Sequence, residues 1–521
     1  MNRESILRRL SEHREPFDVV IIGGGATGAG LALDAAVRGL STLLLEQSDF
    51  GKGTSSRSTK LIHGGVRYLQ QGNIALVRDS LRERSRLQIN APHLVHPLPF
   101  IVPCETLWQR FMMRTGFFLY DFLAGRSHFA RARGENASAA QQIVSTVRPE
   151  RLRWGGVVYY DGQFDDTRLL IHMAMSAADH GASLLNYCRV TGLRNDGEHR
   201  VTGVDVVDQE TGWTFSVPAK SVINATGPFC DAVRRMDDES APQIIAPSQG
   251  VHLVLPREFL PGDTAVIVPK TSDGRVLFLI PWHDHVVVGT TDTPIDHAEL
   301  EPTAQNEEIE FLLATAADYL TKAPRREDCL SVFVGIRPLV SPPSGSSGET
   351  KSLSRDHTIL VSKNGLITIT GGKWTTVRKM AEDCIDRAIE LADLRSNGRS
   401  TEQLKLHGAT DSKDASVYGT DETKINRLVE ETPDLGRRLH PDLPIRAAEV
   451  VWAVRSEMAR TVDDVLARRT RALFLNRRAA LEIAPEVARL MAGELETDTA
   501  WQEEQITEFA NVAKHFDMPP H

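Results

Sequence analysis

The chain has 521 residues, of which 41% are hydrophobic and 25% charged, and its formal net charge is −9 at pH 7. This length is too great for one hydrophobic core, so two or three domains are expected, and the acidic balance argues against nucleic acid as a partner. The five cysteines form no CxxC pair, which argues against a disulfide framework and a zinc site and fits a reducing compartment. Residues 1–16 contain no apolar core segment of a secretory signal, and no apolar run is long enough to span a bilayer.

A strand–turn–helix–strand pattern opens the chain. Residues 18–22 form an apolar, β-branched run that predicts a buried parallel strand, and a helix and a second strand at residues 42–45 follow within about 30 residues. The GxGxxG turn between strand and helix lets a pyrophosphate approach the backbone at a helix N-terminus, and an acidic residue after the second strand accepts a ribose hydroxyl. A dinucleotide is therefore predicted to contact Gly23, Gly25, Ala26, Thr27, Gly28 and Glu46.

The block TSSRSTKLIHGGVRYL, residues 54–69, follows directly. It combines hydroxyls, basic residues, a histidine and paired glycines after the ribose-binding strand, which places it at the cofactor edge of a doubly wound sheet. Donors and small residues suit both a flavin and an anion, although a polar surface loop with a chance histidine is the alternative. The residues proposed for the flavin side are Thr54, Ser55, Ser56, Lys60 and Gly64.

Two helices are predicted next, with different surfaces. Residues 78–87 carry charges at helical spacing and predict a solvated helix face. Residues 107–123 pack aromatic, methionine and leucine side chains between arginines, which suits a helix lying at a membrane surface beside anionic lipid. A buried core or dimer helix is the alternative for this second segment, and the sequence leaves both open.

Strand patterns dominate the middle of the chain, and helices its end. A buried strand at residues 221–224 closes on a small-residue turn with Gly227, and residues 246–293 predict an antiparallel sheet that covers a substrate. A later strand ends in GGKWTT, so that a second glycine pair, with Gly372, Lys373 and Thr375, meets a helix N-terminus. The predicted segments are 14–95, 151–235 and 331–395 for cofactor binding, 96–150 for a membrane- or interface-facing insertion, 236–330 for the substrate cap, 396–423 for a linker and 424–521 for a helical domain.

Six ordered stretches resemble one enzyme family, the FAD-dependent glycerol-3-phosphate dehydrogenases. They are IGGGATGAGLALDAAVRG, the TSSRSTKLIHGGVRYL block, NATGP, GTTDT, GIRP and GGKWTTVRKMA, and the likeness runs in register from about Asp18 to Arg387. Val377 stands where the family usually has tyrosine, with little effect expected. The resemblance implies an α/β fold of the D-amino-acid-oxidase-like flavoprotein superfamily: a Rossmann-like FAD-binding domain, an inserted antiparallel-sheet cap and a C-terminal α-helical domain. The absence of calcium-binding hands makes the chain similar to the bacterial form.

The same resemblance implies the reaction and its partners. Glycerol 3-phosphate is oxidised to dihydroxyacetone phosphate, FAD takes the hydride, and a quinone reoxidises the flavin. The enzyme is then expected as a peripheral protein on the cytoplasmic face of the cell membrane, and as a homodimer. Alternatives are a glycerol-3-phosphate oxidase that makes H₂O₂ from O₂, an amino-acid oxidase of the same broad fold, and a nucleotide-binding scaffold without turnover.

Oxidation of a secondary alcohol needs a base for the hydroxyl proton and cations for the phosphate. His63 is the first candidate base, because imidazole titrates near neutral pH, but it is equally consistent with a role in orienting flavin or substrate, and His252 is the reserve. Tyr68 and Thr291 are candidate hydrogen-bond donors to the substrate. The candidate phosphate-binding cations are Arg67, Arg337, Arg355 and Lys373, of which Arg67 and Arg337 also join His63 as candidate catalytic residues.

Overall fold

The computed structural model describes residues 1–12, 15–65, 73–125, 129–271, 274–341, 357–412 and 414–520. Within these ranges the protein contains an eight-stranded sheet, a ten-stranded sheet, a two-stranded sheet and helices that pack around them. This architecture confirms the α/β class with a largely antiparallel second sheet and a helical C-terminal part. Arg67, Tyr68 and Arg355, which the sequence proposes for substrate binding, lie outside the described residues.

The eight-stranded sheet has a parallel centre. Its strands are β1 Phe17–Ile22, β2 Thr42–Leu45, β7 Ser183–Leu185, β8 Cys188–Asn195, β9 Val201–Asp208, β10 Thr214–Asn224, β17 His357–Val361 and β18 Ile367–Gly371. The main strand order is β17-β18-β10-β1-β2-β7, in which β1 pairs in parallel with both β10 and β2. The central strands are apolar along their length because both faces are buried: one packs on helices, and the other packs on strands β8 to β10 and the N-terminal helix.

Three helices pack together on this sheet: α2 Ala26–Val37, α6 Asp166–Asp179 and α9 Val377–Ala392. Gly30 allows α2 and α9 to approach closely, since a Cβ there would lie 3.3 Å from Val377 Cγ2. This close contact brings the N-termini of α2 and α9 to the same edge of the sheet.

The ten-stranded sheet is antiparallel apart from one pair of strands. Its strands are β3 Leu61–Ile62, β4 Val95–Pro103, β5 Arg133–Glu135, β6 Gly156–Phe164, β11 Ile245–Pro256, β12 Ala265–Val268, β13 Leu277–Trp282, β14 His285–Gly289, β15 Thr293–Pro294 and β16 Ser331–Val340. The main order is β15-β11-β14-β13-β12-β4-β6-β3, in which only β12 and β4 pair in parallel. Strand β16 pairs with β11 over ten residues, and β5 pairs with β6.

Sheet membership divides the chain differently from the sequence-based segments at several places. Strand β16 falls in the third predicted cofactor-binding segment, 331–395, but its register with β11 runs from Ser331 to Val340 in the cap sheet. Strands β4 and β6 pair with each other in that sheet as well. Most of β4 lies in the predicted insertion, 96–150, and β6 lies in the predicted cofactor-binding segment 151–235. Backbone pairing across such sequence separations leaves no periodic signal in the sequence, so the predicted segments follow motif order alone.

The remaining helices flank the two sheets. Helix α4, Leu107–Ala124, begins with a capping box in which Thr106 accepts a hydrogen bond from the Gln109 amide. In the described residues, no helix is both long and apolar enough to cross a membrane. The other helices before the C-terminal part are α1 Arg3–Glu12, α3 Ile74–Asn90, α5 Ala137–Ile143, α7 Cys230–Asp237 and α8 Asn306–Tyr319.

The C-terminal part packs on both sheets. Residues 396–412 pack on the helices that cover the first sheet. Asn397 bonds to the Val37 carbonyl of α2. The two ring nitrogens of His407 bond to Asp179 of α6 and to Asp421. The elements that follow are α10 Glu422–Glu431, β19 Arg438–His440, β20 Leu443–Arg446, α11 Ala447–Glu457, a π-helical turn Asp464–Arg469, α12 Ala472–Leu475, α13 Arg477–Leu495 and α14 Thr499–Ala513.

Candidate active site

A cavity of about 990 Å³ lies between the two large sheets and is lined by residues from both. Most of the sequence-predicted site residues that the structure describes line it. They are Gly23, Gly25, Ala26, Thr27, Glu46, Thr54, Ser55, His63, Gly227, His252, Thr291, Arg337, Gly372, Lys373 and Thr375. The tertiary fold thus brings together motifs that are separated by more than 300 residues in the sequence.

The glycine turn forms one end of the cavity. Gly23 has φ +107°, and a Cβ on it would lie 2.8 Å from the carbonyl oxygen of Ala225 in the neighbouring strand. A Cβ on Gly28 would lie only 1.8 Å from the Gly23 carbonyl oxygen, so this glycine allows turn and helix to pack rather than lining the cavity. Gly25 is the N-cap of α2, so the free amides of this helix face the cavity end.

Glu46 holds the tip of strand β2 against this turn. Its two carboxylate oxygens accept hydrogen bonds from the Gly24 amide at 2.6 Å and the Ser48 amide at 2.8 Å. Burial raises the pKa of Glu46, and these amides partly offset that effect. The side chain lines the cavity, in the position expected for a ribose acceptor.

The 54–60 loop contributes a different set of cavity residues from the predicted one: Thr54 and Ser55 line the cavity, and so do Arg57, Ser58 and Thr59. Thr54 donates to the Ile336 carbonyl at 2.6 Å, and the Ser55 hydroxyl accepts from the Ala26 amide at 2.8 Å. Ser56 and Lys60 are buried behind the loop and do not line the cavity. Their predicted cofactor contacts are therefore corrected: these two side chains point into the core, whereas their neighbours Arg57 and Thr59 line the cavity.

Gly64 also lies behind the cavity wall. A Cβ on it would lie 2.3 Å from the Tyr120 hydroxyl, and its amide donates to Asp161 at 3.3 Å. Gly64 therefore allows close packing and does not line the cavity. The prediction that it contacts the cofactor is corrected, as it is for Ser56 and Lys60.

Arg337 is held at the cavity wall by several acceptors. Its guanidinium donates to the Thr291 carbonyl at 3.0 Å, to the Gln249 carbonyl at 3.3 Å and to the Asp292 carboxylate at 3.3 Å. Thr290 lies beside it, with 3.4 Å between the Thr290 hydroxyl and the Arg337 NH2 group. These contacts fix the direction of a cation that lines the cavity, which is what anion binding requires.

Thr291 has a structural role that the sequence did not indicate. Its hydroxyl donates to the Glu308 carboxylate at 2.8 Å and accepts from the Val251 amide at 3.0 Å. The single O–H of Thr291 already donates a hydrogen bond within the protein. The predicted role of Thr291 as a hydrogen-bond donor to a substrate is therefore corrected.

Two histidines line the cavity. The Thr375 hydroxyl lies 3.2 Å from the His63 amide nitrogen and 3.3 Å from the His63 carbonyl oxygen, which joins the His63 loop to the loop that carries Gly372 and Lys373. The Nε2 atom of His252 lies 2.9 Å from the Thr59 hydroxyl. Burial, together with positive charges nearby, holds the pKa of His252 well below 6.5, so its ring is neutral at pH 7.

Other cavity residues were missed at the sequence level. Asp161 lines the cavity and accepts from the Tyr120 hydroxyl and from Arg84, both at 2.8 Å. The available signal was a carboxylate inside the otherwise apolar strand GVVYYDGQF, because a buried charge needs a partner. Trp374 was also missed; its indole nitrogen donates to the Ser55 carbonyl at 3.0 Å.

Comparisons with known proteins agree with this geometry. Residues 18–378 match the family described as FAD dependent oxidoreductase, and residues 367–505 match the C-terminal domain of alpha-glycerophosphate oxidase. A probable mitochondrial glycerol-3-phosphate dehydrogenase of Caenorhabditis elegans is 44% identical over 97% of this chain and 74% of its own length. The chain belongs to the FAD-dependent glycerol-3-phosphate dehydrogenases.

Two solved structures extend the comparison within and beyond this dehydrogenase family. The glycerol-3-phosphate dehydrogenase of Bacillus halodurans, solved with FAD, aligns over 99% of this chain and 98% of its own with a TM-score of 0.78 at 29% identity. The L-alpha-glycerophosphate oxidase of Mycoplasma pneumoniae aligns over 75% of this chain and 99% of its own, with a TM-score of 0.55 at 16% identity, which supports the shared fold alone.

The residues of this dehydrogenase fit its FAD cofactor. Side chains at Gly23 and Gly28 would collide with neighbouring backbone, so the turn stays narrow and its amides can approach a pyrophosphate. The cavity continues from there past Ser55 and Trp374 toward Arg337. Gly372, at φ +72°, forms part of the opposite cavity wall, and a side chain would not fit there because its Cβ would lie 2.4 Å from Met380 Sδ. Val377, which departs from the family pattern, is buried at the start of α9 and also lines the cavity.

Proposed function

We propose that this dehydrogenase oxidises sn-glycerol 3-phosphate to dihydroxyacetone phosphate and passes the electrons through FAD to a membrane quinone. The observation that carries the proposal is the convergence of Arg337, Lys373 and two histidines on the cavity that the FAD-binding turn opens into. A phosphate dianion needs fixed cations, and an alcohol needs a proton acceptor, so this set of residues suits a small phosphorylated alcohol.

The phosphate is assigned to Arg337 and Lys373. The guanidinium of Arg337 is already oriented by Asp292, Gln249 and Thr291, so it loses little freedom on binding an anion. An amino acid substrate would need a single cation for its carboxylate, and two cations on one cavity favour a dianion instead.

FAD, when bound, supplies the acceptor for the hydride that leaves the substrate carbon. The protein then has to orient the alcohol and accept its hydroxyl proton, which the imidazole of His63 or His252 does at neutral pH. His252 is suited to this because its ring is neutral and its Nδ1 has no hydrogen-bond partner among the residues that the structure describes. His63 stays the first candidate base, and its cavity position supports either a base or an orienting role.

An apolar arm of the cavity supports a lipophilic electron acceptor. Its walls include Phe100, Val102, Met113, Phe117 and Phe278, and the Phe117 ring stacks on Tyr159 at 4.0 Å between centroids. Met113 and Phe117 belong to helix α4, whose outer face exposes further aromatic side chains to solvent. We propose that α4 lies on the cytoplasmic surface of the cell membrane, so that a quinone reaches the flavin from the lipid.

An anaerobic experiment tests this function. Glycerol 3-phosphate is added to purified, FAD-loaded protein while the flavin absorbance is followed, with glycerol and inorganic phosphate as separate controls. Prompt bleaching by glycerol 3-phosphate alone is expected, followed by recovery that is faster with a soluble quinone analogue than with air. Absence of bleaching in protein that carries FAD would overturn the substrate assignment.

The oxidase alternative is a second outcome of the same experiment. The match of residues 367–505 to a domain named for alpha-glycerophosphate oxidase is the observation that favours it. Recovery by air with one equivalent of peroxide per flavin, faster than recovery by the quinone analogue, would assign oxygen as the acceptor.

A further inference from the structure

Lys60 is a charged side chain buried beside the active site without lining its cavity. Its backbone has φ +63°, which a lysine rarely adopts, and its ammonium donates to the Ser56 carbonyl at 2.8 Å and to Asp166 at 2.7 Å. Both side chains of the Lys60–Asp166 pair are fully buried. Such a pair gives little net stability compared with apolar residues of the same size, so its presence calls for another explanation.

The ammonium of Lys60 is surrounded by aromatic rings that lead to His252. Its Nζ lies 5.0 Å from the ring centroid of Phe333 and 5.1 Å from those of Trp282 and Phe474. The Phe333 ring stacks in turn on the His252 imidazole, with 4.7 Å between centroids and 12° between planes. Lys60 and His252 therefore share one aromatic neighbour.

A second connection runs along the backbone. Thr59, which precedes Lys60, bonds to His252 Nε2 at 2.9 Å. The strained conformation and buried ion pair of Lys60 thus fix the residue that holds the imidazole. His252 is packed tightly as well, since a Cβ on Gly289 would lie 2.2 Å from its Cδ2 atom.

We propose that Lys60 is a positioning residue for His252: it holds the imidazole against Phe333 and places a positive charge near it, without touching substrate or cofactor. This inference rests on the proposed oxidation of glycerol 3-phosphate and adds a residue to it. A neutral imidazole accepts a hydrogen bond or a proton from the substrate hydroxyl, whereas an imidazolium only donates.

The electrostatic setting supports this role. Burial first, then the charges of Lys60 and Arg337, hold the pKa of His252 well below 6.5. Arg337 itself pairs with Asp292, whereas Lys60 faces Asp166, Asp165 and Arg471.

The charge of Lys60 is present where it is needed. Burial and the Arg471 charge lower the pKa of Lys60 to about 7, and Asp166 partly opposes them. Below pH 7 Lys60 is therefore protonated, in the range in which an ordinary imidazole takes up a proton.

The pH dependence of flavin reduction tests the inference. Anaerobic reduction by saturating glycerol 3-phosphate is measured by stopped flow between about pH 4 and pH 8 in the FAD-loaded wild type, in the neutral double variant Lys60→Met/Asp166→Asn and in Lys60→Arg. Asp166 also pairs with Arg471 at 3.2 Å and accepts from the Ser58 hydroxyl at 2.7 Å, so the single variant Lys60→Met, in which Asp166 keeps these partners, is measured beside the double variant. The acid limb is expected to move up in variants that lack the Lys60 charge, because a positive charge that opposes protonation of His252 is then gone, and to stay in place in Lys60→Arg.

The same two substitutions in a His252→Gln background provide the control. In that background they should no longer move the acid limb of flavin reduction, because the titrating imidazole is absent. The inference is overturned if the FAD-loaded double variant keeps the wild-type limb, or if the shift persists without His252. If the double variant does not retain FAD, the single variant Lys60→Met is read in its place: an upward shift of its limb supports the inference, and an unmoved limb overturns it. Failure of the proposed function is distinguishable, since the wild type would then not be reduced at any pH.

Discussion

At the scale of single residues, the candidate site depends on how each side chain is held as much as on its chemical type. Arg337 is the clearest case, because the Asp292 carboxylate and two carbonyls orient its guanidinium. A lysine at this position keeps the charge but cannot satisfy several acceptors in fixed directions at once. The proline that follows Arg337 also biases its backbone toward an extended conformation, in agreement with its place in strand β16.

The substitution Arg337→Gln is expected to weaken substrate use without loss of FAD. A charge-assisted hydrogen bond contributes about 2 to 3 kcal/mol, so kcat/KM should fall roughly 30- to 150-fold, mostly through a higher KM. The substitution Arg337→Lys, which keeps the charge, should show only part of this loss. Steady-state kinetics with a soluble acceptor and the flavin content of each variant are the measurements. An unchanged KM in Arg337→Gln would remove this arginine from the phosphate site.

At the scale of elements, helix α4 combines two faces with different surroundings. Phe117, Tyr120 and Ala124 are buried against the cap sheet. On the opposite side, Trp108 is 68% exposed, and Phe118 and Phe122 are each 73% exposed. Arg110 and Arg114 lie on the same helix, so the exposed apolar face carries positive charge, as helices that lie on anionic lipid do. The sequence left open a core or dimer helix and a lipid-facing helix; the exposure of these rings on the single chain argues against a core helix, and the lipid-facing helix stays our proposal.

Substitution of the exposed rings is expected to release the protein from membranes. The Phe118→Ser/Phe122→Ser variant should sediment with phosphatidylglycerol vesicles at least ten-fold less than the wild type, because about 1.5 to 3 kcal/mol is lost for each ring that no longer enters the lipid. Flavin reduction by glycerol 3-phosphate in solution should be retained. Leu391→Ser, which changes an exposed apolar residue on α9, is the matched control and should sediment as the wild type does. Equal sedimentation of all three proteins would refute membrane binding by α4.

Helix α3 illustrates the limit of periodicity at this scale. The charges at residues 78–87 predicted a solvated face, but Glu83 and Arg84 are buried. Arg84 bonds to Asp161 at the cavity wall, and Glu83 bonds to Arg378 of α9 at 2.7 and 2.9 Å. Charge spacing along one helix therefore could not reveal partners that come from other elements.

At the scale of the whole molecule, buried ion pairs join the C-terminal helical part to the FAD-binding sheet. Asp49 follows strand β2, and Arg469 donates to its two carboxylate oxygens at 2.7 and 2.8 Å. Arg468 bonds to the same carboxylate and to Asp463, which also pairs with the cavity residue Lys52 at 2.7 Å. The helical part thus stabilises the loop that carries one wall of the cofactor cavity.

The substitution Asp49→Asn is expected to lower stability and cofactor retention together. Removing one partner of a buried pair costs about 3 to 5 kcal/mol, so the variant should unfold at lower temperature and release FAD earlier on heating, as followed by flavin fluorescence. Asp386→Asn, which changes an exposed partner of Arg38, is the matched control and should cost below about 0.5 kcal/mol. Equal unfolding temperatures for wild type and Asp49→Asn would show that the pair does not stabilise the domain contact.

The effect of Asp49→Asn should also depend on pH. Burial alone would raise the pKa of Asp49, but the charges of Arg469 and Arg468 lower it below its ordinary value. A carboxylate with a lowered folded-state pKa contributes stability that is present above the unfolded pKa of about 3.9 and is lost as the pH falls through the folded value. The difference between wild type and variant should therefore be full at pH 7 and shrink below about pH 4.

Local patterns in the sequence predicted the cofactor turn, the order of the cavity motifs and the α/β class. They could do so because GxGxxG with its flanking strands and acid is a contiguous arrangement, and glycine spacing reports backbone geometry directly. The family resemblance added the reaction, and most of the described candidate residues do line one cavity.

The direction of each side chain and the pairing of distant strands were decided only by the tertiary structure. Ser56, Lys60 and Gly64 lie in the predicted block but behind the cavity wall, because partners from distant parts of the chain, such as Asp166 for Lys60 and Tyr120 for Gly64, lie in the core. Asp161 lines the cavity, and the Thr291 hydroxyl donates a hydrogen bond to Glu308, through contacts between strands and helices far apart in the chain. The sequence alone determined which motifs this protein carries; long-range pairing decided which of their atoms face the substrate, because those contacts leave no local pattern.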